Sequence, residues 1–449
     1  MRPAAIAVVS VATFLVVAGC TATPDETDSP PVPDDVWSVE LTEAIVPAVN
    51  VIIQDDLLVV DHLEGRISVL ALDSGRQLWS LPEETRTTVV VDEAIVAVDK
   101  DDTITVFDIA DGTERFQHDI SGHFGDTVDV TATAIVAAEQ SESSDEKRTL
   151  FALSTETGDR LWERELANPP EDETTIAAPV GELQVDSPGA RVVTPRLRSA
   201  VDSPVVYLTS EGSGSPDSTV AVDVETGDEL WTVSEPLEAK TTLTADGSVV
   251  EWPSSAVPGN GEPLLHEDTA VQVRTVDVET GDSARTLTHV AMPYEDGTWQ
   301  YGNLYHGPYI ADSTLLGMTS DHKPTVADLT TGDTTWTATE SGEPLYLASG
   351  VALYWAWPSD EPEPVIAHDI TTDEKLWTTT ELGDVNTVVG DRLVSSTRAS
   401  SQGIDLRTGE VEWIYSDGQI LAHGSGYLVF LQPADGEGDP VLRVARMPE

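Results

Sequence analysis

The sequence predicts an all-β protein whose folded part is a single β-propeller of four-stranded blades. Three observations predict this fold. The pattern Asp-x-x-Thr-Gly-x-x-x-Trp recurs along most of the chain. An alternating apolar run typical of a strand precedes the copies, as in RISVLALD (66–73). Val, Thr, Gly and Pro are frequent, and no long amphipathic helical pattern is present.

The repeated pattern describes a tight turn between two strands. Its Gly supplies a positive φ, and its Asp and Thr can hydrogen-bond the turn backbone. The predicted turn glycines are Gly75, Gly112, Gly158, Gly227, Gly281, Gly332 and Gly409. Asp373 stands at this position in DITTDEKLW (369–377), and Asp tolerates a positive φ better than most residues.

The aromatic residue that ends the pattern begins the next strand. One large aromatic per unit is best used as a wedge between units, burying roughly 150–250 Å² each time. The predicted docking aromatics are Trp37, Trp79, Phe116, Trp162, Trp231, Trp336, Trp377 and Trp413. The copy at 277–285 carries Arg285 in place of the aromatic, which makes it the weakest unit.

Two more strand-like runs lie between copies, so each unit has four short strands, as a propeller blade does. The longest spacing carries an insertion at 163–205. VWSVEL (36–41) looks like a lone last strand, and residues 419–447 look like three strands without a last one. Pairing these ends would close the ring. Strict counting gives nine strand sets. Eight blades are favoured within a range of seven to nine, with the unit at 277–290 degenerate or displaced.

The first 36 residues predict export and anchoring. Residues 1–19 combine a positive start, a short apolar run and a small-residue ending, as in a signal peptide. The ending Val-Ala-Gly-Cys resembles a prokaryotic lipobox, which implies cleavage before Cys20 and a lipid on its sulfur. The alternative is a plain secretory signal. Residues 20–36 are rich in Pro, Asp and Thr and predict a disordered tether. The propeller domain is assigned to 37–449, outside the cytoplasm at the membrane.

The charge balance excludes one class of partner. Eighty acidic residues against 23 basic ones give a formal net charge of -57. Such a surface repels phosphate, so nucleic acid is not expected as a partner, and the membrane is expected to be reached through the lipid anchor alone. The acidity indicates solubility or a high-salt habitat. Cys20 is the sole cysteine, so no disulfide or cysteine-based metal cluster can form within the chain.

The repeat resembles the tryptophan-docking repeat of the quinoprotein-like (PQQ-like) β-propellers, from Trp37 to about Met447. That family holds calcium- and quinone-dependent dehydrogenases and also non-catalytic lipoprotein scaffolds of outer-membrane assembly. The resemblance implies an adjacent cysteine pair over the cofactor in the dehydrogenases, and the mature chain has none. We therefore expect neither PQQ nor calcium, and no enzymatic activity.

Two regions depart from the repeat. Aromatics outside the docking position are dense between Tyr294 and Trp357, and they either fill an irregular core or form a binding surface. The candidate surface residues are Trp299, Tyr305, Trp355 and Trp357. The insertion carries Arg191, Arg196 and Arg198, which either dock an acidic partner or pair with the chain's own carboxylates. The histidines show no metal-ligand spacing, and no catalytic or metal site is predicted.

These observations favour a monomeric, lipid-anchored, non-catalytic scaffold that binds proteins of the cell envelope. Two alternatives remain open at this stage. One is a surface module that binds carbohydrate, such as cell-surface glycans, or small molecules through the 294–357 aromatics. The other is an enzyme with its site in the central channel, either a redox enzyme of the quinone-cofactor type or a hydrolytic one.

Overall fold

A computed structural model of the chain describes residues 30, 32–40, 50–61, 66–81, 85–120, 128–140, 148–166, 174–177, 197–199, 204–210, 218–233, 239–243, 249–253, 270–276, 283–290, 309–311, 314–319, 321, 323–357, 364–396, 400–416, 418–432 and 440–448. Within these ranges the chain forms 37 β-strands and no helix. The strands assemble into nine sheets, which we number as blades in chain order.

The first five blades contain most of the N-terminal half. Blade 1 comprises β2 (Asn50–Gln54), β3 (Leu57–Asp61), β4 (Ile67–Ala71) and β5 (Gln77–Ser80); blade 2 comprises β6 (Thr85–Val91), β7 (Ala94–Asp99), β8 (Thr103–Asp108) and β9 (Glu114–Asp119), with a fifth strand, β15 (Leu197–Ser199). Blade 3 comprises β10 (Val128–Val130), β11 (Ala134–Gln140), β12 (Arg148–Ser154) and β13 (Arg160–Leu166); blade 4 comprises β14 (Thr174–Ala177), β16 (Val205–Ser210), β17 (Ser218–Asp223) and β18 (Glu229–Val233); blade 5 comprises β19 (Ala239–Leu243), β20 (Val249–Pro253), β21 (Ala270–Val276) and β22 (Ser283–Val290).

The remaining blades follow the same antiparallel order. Blade 6 comprises β23 (Tyr309–Ala311), β24 (Thr314–Met318), β25 (Pro324–Asp328) and β26 (Thr334–Thr337); blade 7 comprises β27 (Ser341–Ala348), β28 (Val351–Trp357), β29 (Val365–Asp369) and β30 (Glu374–Thr379); blade 8 comprises β31 (Asp384–Val389), β32 (Arg392–Ser396), β33 (Ser401–Asp405) and β34 (Val411–Tyr415). Blade 9 comprises β35 (Gln419–Gly424), β36 (Tyr427–Gln432), β37 (Val441–Arg446) and, from the other end of the chain, β1 (Asp34–Glu40).

The expectation of an all-β propeller is confirmed, and so is the pairing of the two ends. β1 runs antiparallel to β37, from Asp34 opposite Arg446 to Glu40 opposite Val441. β1 begins three residues before the predicted domain boundary at Trp37. The described strands give nine blades rather than the favoured eight, which lies within the predicted range. The suspected weak unit at 277–290 contains β22, which pairs with β21 as the fourth strand of a full four-stranded blade 5.

The apolar core lies between the blades. The sheets of blades 7, 8, 9, 1, 2 and 3 bury side chains on both faces. A cluster such as Val96, Ile104 and Phe151 joins blade 2 to blade 3. Equivalent clusters join blades 1 and 2, 3 and 4, 6 and 7, 7 and 8, 8 and 9, and 9 and 1. The described core is therefore continuous from blade 6 through blade 9 and blade 1 to blade 4.

In the blades whose first strands are described in contact, these strands lie nearest the propeller axis. First strands of adjacent blades approach each other: β2 lies beside β35, β10 beside β14, and β27 beside β31. The fourth strands, which carry the docking aromatics, form the rim. No helix in the ranges given above is long and apolar enough to span a membrane.

Candidate interaction surface

The turn between the third and fourth strands has the same geometry in several blades. In blade 8, Asp405 Oδ1 accepts hydrogen bonds from the backbone N–H of Arg407 (3.0 Å) and Thr408 (2.6 Å). Gly409 N–H donates to the Asp405 carbonyl over 2.9 Å. The turn glycines that are described have φ of 66° to 74°, the left-handed region that only Gly adopts without strain. These glycines are Gly75, Gly112, Gly158, Gly227, Gly332 and Gly409; Gly281 lies outside the described residues.

These turns share one face with the hairpins between the first and second strands. The backbone N–H of Leu406 donates to the Asp391 carbonyl (2.8 Å), and that of Ile370 donates to the Gly350 carbonyl (3.0 Å). Each bond ties a third-to-fourth turn to the first-to-second hairpin of its own blade. We call this side of the propeller the turn face.

A docking aromatic packs over the turn glycine of the next blade. Trp377 Nε1 donates to the Leu406 carbonyl at 2.9 Å, and a Cβ added to Gly409 would lie 2.7 Å from Trp377 Cγ. The same pairing joins Trp37 to Gly75, Trp79 to Gly112, and Trp162 to Gly227, with indole hydrogen bonds of 2.7–2.8 Å. Phe116 packs over Gly158 in the same way but has no N–H to donate.

The junction between blades 6 and 7 uses a side chain instead of a backbone carbonyl. Asp373 holds the turn position with φ of 57°. Its Oδ1 accepts from Trp336 Nε1 at 3.0 Å and from His368 Nε2 at 3.1 Å. The His368 and Trp336 rings lie 4.9 Å apart, and His368 is buried with no described hydrogen-bond partner at Nδ1. Asp373 thus supplies the indole acceptor that Leu406 supplies one blade later.

Trp413 differs from the other docking aromatics. Blade 9 takes its third and fourth strands from opposite ends of the chain, so it has no glycine turn to receive this ring. The indole is fully buried, meets Phe430 edge-on at 6.3 Å, and lies against Gly403, where a Cβ would collide with Nε1. Across the strand pair, Val or Ala lies opposite the docking aromatic in blades 1, 2, 3, 4, 6 and 7, where blade 8 has Gly403.

A carboxylate, rather than a docking aromatic, connects the N-terminal strand β1 to blade 8. Asp35 accepts from Tyr415 OH at 3.0 Å and from Arg443 Nη1 at 2.8 Å. Tyr415 stacks on Phe430 with ring centroids 4.0 Å apart. Burial, followed by the negative charge of Asp35, raises the pKa of Tyr415, so its hydroxyl stays protonated as the donor. One carboxylate therefore links β1 to both blade 8 and β37.

The candidate aromatic surface is only partly described. Trp299 and Tyr305 lie outside the described residues. Trp355 and Trp357 lie two apart on β28, so they share one face, and both are half-buried. Trp355 packs against the core cluster between blades 7 and 8, and Tyr354 is fully buried between blades 6 and 7. Burial raises the pKa of the Tyr354 hydroxyl. The structure thus assigns Trp355 partly to the core.

The insertion contributes a strand to a distant blade. It leaves blade 4 between β14 and β16, and β15 from this segment pairs with β6 of blade 2. The pairing is parallel, with Leu197, Arg198 and Ser199 opposite Thr88, Val89 and Val90. β15 also lies beside β2. Since β6 is a first strand, β15 lies on the axial side of blade 2. Arg191 and Arg196 lie outside the described residues.

A comparison with models of protein families shows which family the chain belongs to. A family model described as outer membrane protein assembly factor BamB matches residues 33–286, more than half of the 449 residues. The chain belongs to this family. None of the curated proteins matches the sequence.

Solved structures similar to this BamB-family chain include a BamB and two dehydrogenases. BamB from Moraxella catarrhalis is 14% identical, with 93% of this chain and 99% of that one covered and a TM-score of 0.41. Quinohemoprotein alcohol dehydrogenase from Comamonas testosteroni is 12% identical, with coverage of 92% and 77% and a TM-score of 0.43. A europium-containing methanol dehydrogenase is 13% identical, with coverage of 92% and 93% and a TM-score of 0.45.

Three features of this BamB-family propeller were missed by the sequence reasoning. They are the carboxylate acceptor at Asp373, the packing of the Trp413 indole against Gly403 of its own blade, and the pairing of β15 with blade 2. The second had a sequence signal, since from Trp79 onwards the residue ten positions before each docking aromatic is Val or Ala except at Gly403. Among the residues with described placement, no group of three or more metal-ligating side chains comes together.

Proposed function

We propose that this chain is a non-catalytic scaffold of the cell envelope that binds protein partners and is held at the membrane by a lipid on Cys20. The observation that carries the proposal is the family match over residues 33–286, whose description names an outer-membrane protein assembly factor. The sequence adds the lipobox-like ending at Cys20 and the tether that follows it.

The structural roles of the repeated side chains agree with a scaffold function. The docking aromatics, the turn aspartates and the buried His368 all join one strand or blade to another. They build a rigid platform whose turn face, rim and axial edges can meet a partner. Rigid, preformed surfaces lose little conformational entropy on binding. The proposal assigns no quinone or calcium to the chain, which is taken to act as a monomer.

The net charge of -57 indicates the character of the partner surface. Complementary charge accelerates encounter and suppresses wrong partners more than it adds affinity. We therefore expect the partner to present a basic surface, and we expect the association rate to fall as salt rises.

Crosslinking in the native membrane tests this proposal. The wild-type chain and Cys20→Ala are expressed at equal level, crosslinked in intact cells, purified under denaturing conditions and analysed by mass spectrometry. We expect wild-type protein in the membrane fraction with a reproducible set of envelope proteins attached. We expect Cys20→Ala outside the membrane fraction with at least ten-fold less of the same set.

Two results would count against the proposal. If wild type is abundant in the membrane and captures no protein reproducibly, binding of glycans or small molecules replaces the scaffold function. If Cys20→Ala stays in the membrane fraction with the same partners, the lipid on Cys20 is not the anchor.

A further inference from the structure

The N-terminal strand β1 starts on the turn face of the propeller. In its antiparallel pairing with β37, Asp34 lies opposite Arg446. The residue after β37, Met447, donates its N–H to the Gly426 carbonyl over 2.9 Å, which is the bond that marks the turn face in blades 7 and 8. The chain therefore enters the folded body on this face, at the rim of blade 9.

Backbone pairing and side chains together fix this entry point to the body. β1 pairs with β37 from end to end. Trp37 Nε1 donates to the Leu72 carbonyl in the turn of blade 1. Asp35 accepts from Tyr415 of blade 8 and from Arg443 of β37. A constraint on the chain ahead of β1 is therefore passed to three neighbouring blades and acts on the orientation of the propeller as a whole.

The opposite side of the propeller, which we call the far face, carries the second-to-third hairpins and the connections between blades. In blade 2, Ile120 follows β9, and its N–H donates to the Asp102 carbonyl in the hairpin between β7 and β8 over 3.0 Å. Both faces of this blade present exposed side chains, Glu93 on the turn face and Asp101 on the far face. The two faces can therefore be compared within one blade.

The chain ahead of β1 is short compared with the height of the propeller rim. From Cys20 to Asp34 the chain advances by 14 residues, so the two Cα atoms lie at most about 50 Å apart in any conformation. A freely flexible chain of this length spans about 20 Å on average. β1 has seven residues and extends about 23 Å from the turn face towards the far face. To bring the far face to the bilayer, the tether would have to run back along the rim by more than its average span.

Charge gives the turn face no attraction to lipid. Exposed carboxylates lie in the third-to-fourth turns of blades 1, 2, 3, 4 and 8, namely Asp73, Asp111, Asp159, Asp228 and Glu410. Anionic headgroups repel such a surface. A preference of this face for the bilayer must therefore come from the point of attachment and not from adhesion.

We propose that attachment through β1 holds the turn face towards the bilayer and the far face away from it. This inference rests on the proposed lipid at Cys20, and it adds which surface of the scaffold is proximal to the membrane. Partners that are anchored in the membrane then meet the turn face, and partners from the compartment beyond meet the far face.

Energy transfer from single dyes to the bilayer tests this orientation on the full-length lipidated chain. The substitutions Glu93→Cys and Asp101→Cys in blade 2, and Asp391→Cys and Ser416→Cys in blade 8, are made one at a time. Because a lipid on Cys20 consumes the only natural thiol, each introduced cysteine is the sole labelling site. The labelled proteins are reconstituted into phosphatidylcholine vesicles with an acceptor dye on the headgroups, and the transfer efficiency is measured.

We expect at least two-fold higher transfer at Glu93 than at Asp101, and at Asp391 than at Ser416, because about 20 Å of strand separates the two faces. The matched control carries twenty additional Gly and Ser residues after Thr27. A longer tether lets the body turn over, so this insertion should at least halve the excess transfer at the turn face in both blades.

Equal or higher transfer at the far-face position of either blade would overturn the proposal. So would ratios that the longer tether leaves unchanged, because adhesion of the turn face would then be their cause. A chain that does not bind the vesicles and is labelled at Cys20 contradicts the proposed anchor, and this inference with it. A lipidated chain with equal transfer at both faces contradicts this inference alone.

Discussion

Two neighbouring blade junctions provide the indole N–H of a docking tryptophan with different acceptor atoms. At the junction of blades 7 and 8, Trp377 lies over Gly409 and donates to the Leu406 backbone carbonyl. At the junction of blades 6 and 7, Asp373 replaces the glycine, and its carboxylate accepts the Trp336 indole N–H. In both junctions the indole N–H finds an acceptor over a left-handed turn. The acceptor is a backbone carbonyl where the turn residue is Gly409 and a side-chain carboxylate where it is Asp373.

The largest effect is expected from filling the space above a turn glycine. Gly409→Ala introduces a Cβ 2.7 Å from Trp377 on a backbone with φ of 73°. Left-handed strain of about 1–2 kcal/mol and overpacking of about 1–3 kcal/mol should together lower the free energy of unfolding by about 2–5 kcal/mol. Urea unfolding followed by circular dichroism measures it.

Gly390→Ala is the matched control for that substitution. Its φ of 62° is similar, but no atom lies within 4 Å of the added Cβ. Only the strain of about 1–2 kcal/mol remains. If the two substitutions lower the free energy of unfolding by the same amount, the ring of Trp377 does not pack against Gly409 as described.

A slightly smaller effect is expected at Gly403, against which the Trp413 indole packs. Gly403→Ala should lower the free energy of unfolding by about 2–3 kcal/mol, because the added methyl group meets the buried indole. Combining it with Trp413→Phe should be less harmful than the sum of the two single changes, since the smaller ring leaves room for the methyl group. Additive losses would show that the clash is not the cause.

The Asp373 junction can be tested by restoring the repeat. Asp373→Ala keeps the left-handed turn but removes the acceptor of Trp336 and His368, and should cost about 1–2 kcal/mol. Asp373→Gly loses the same acceptor but relieves the strain, so we expect a change within about 1 kcal/mol of wild type. Thermal unfolding of both variants measures the difference. Greater damage from Gly than from Ala would contradict this account.

The smallest effect concerns pH. Asp369 accepts from the backbone N–H of Thr372 and Thr371, and it pairs with Arg407 of blade 8 at 2.7 Å. The Thr372 N–H, followed by Arg407, lowers the pKa of Asp369 to about 2, compared with about 3.9 in an unfolded chain. A lowered pKa stabilises the fold above about pH 4, and this contribution is lost as the pH falls towards 2.

Asp369→Asn should therefore be less stable than wild type at pH 7 and nearly as stable at pH 2. Its unfolding midpoint should change less between pH 4 and pH 2 than that of wild type. Midpoints measured by urea unfolding at pH 7, 4, 3 and 2 test this. Two parallel curves would mean that the ion pair and turn bonds of Asp369 contribute nothing across this range.

The sequence predicted the parts of the fold that depend on local chemistry. A Gly in a Thr-Gly turn and an aromatic four residues later identify the third-to-fourth strand connection without knowledge of the rest of the chain. Pairing of the ends was predictable because one strand and three strands were left over. The β15 contact was not, because three parallel residue pairs between distant segments leave no periodic pattern.

The candidate site was less predictable than the fold. Trp355 and Trp357 were predicted as surface residues because they lie outside the repeat. Whether Trp355 packs towards blade 8 depends on the pairing register of β28, which the sequence alone does not give. Asp373 was predicted to adopt a positive φ, and it does. Its role as an acceptor requires the position of Trp336, which lies in the preceding blade.

Site-specific photocrosslinking in the native membrane tests the scaffold function most directly. A photoreactive residue is placed at Glu93, in the hairpin that follows β6 on the turn face, or at the exposed rim residues Leu161 and Val411. The account predicts reproducible protein adducts at one or more of these three positions. Absence of any protein adduct at all three positions, with the protein folded and abundant in the membrane, would contradict it.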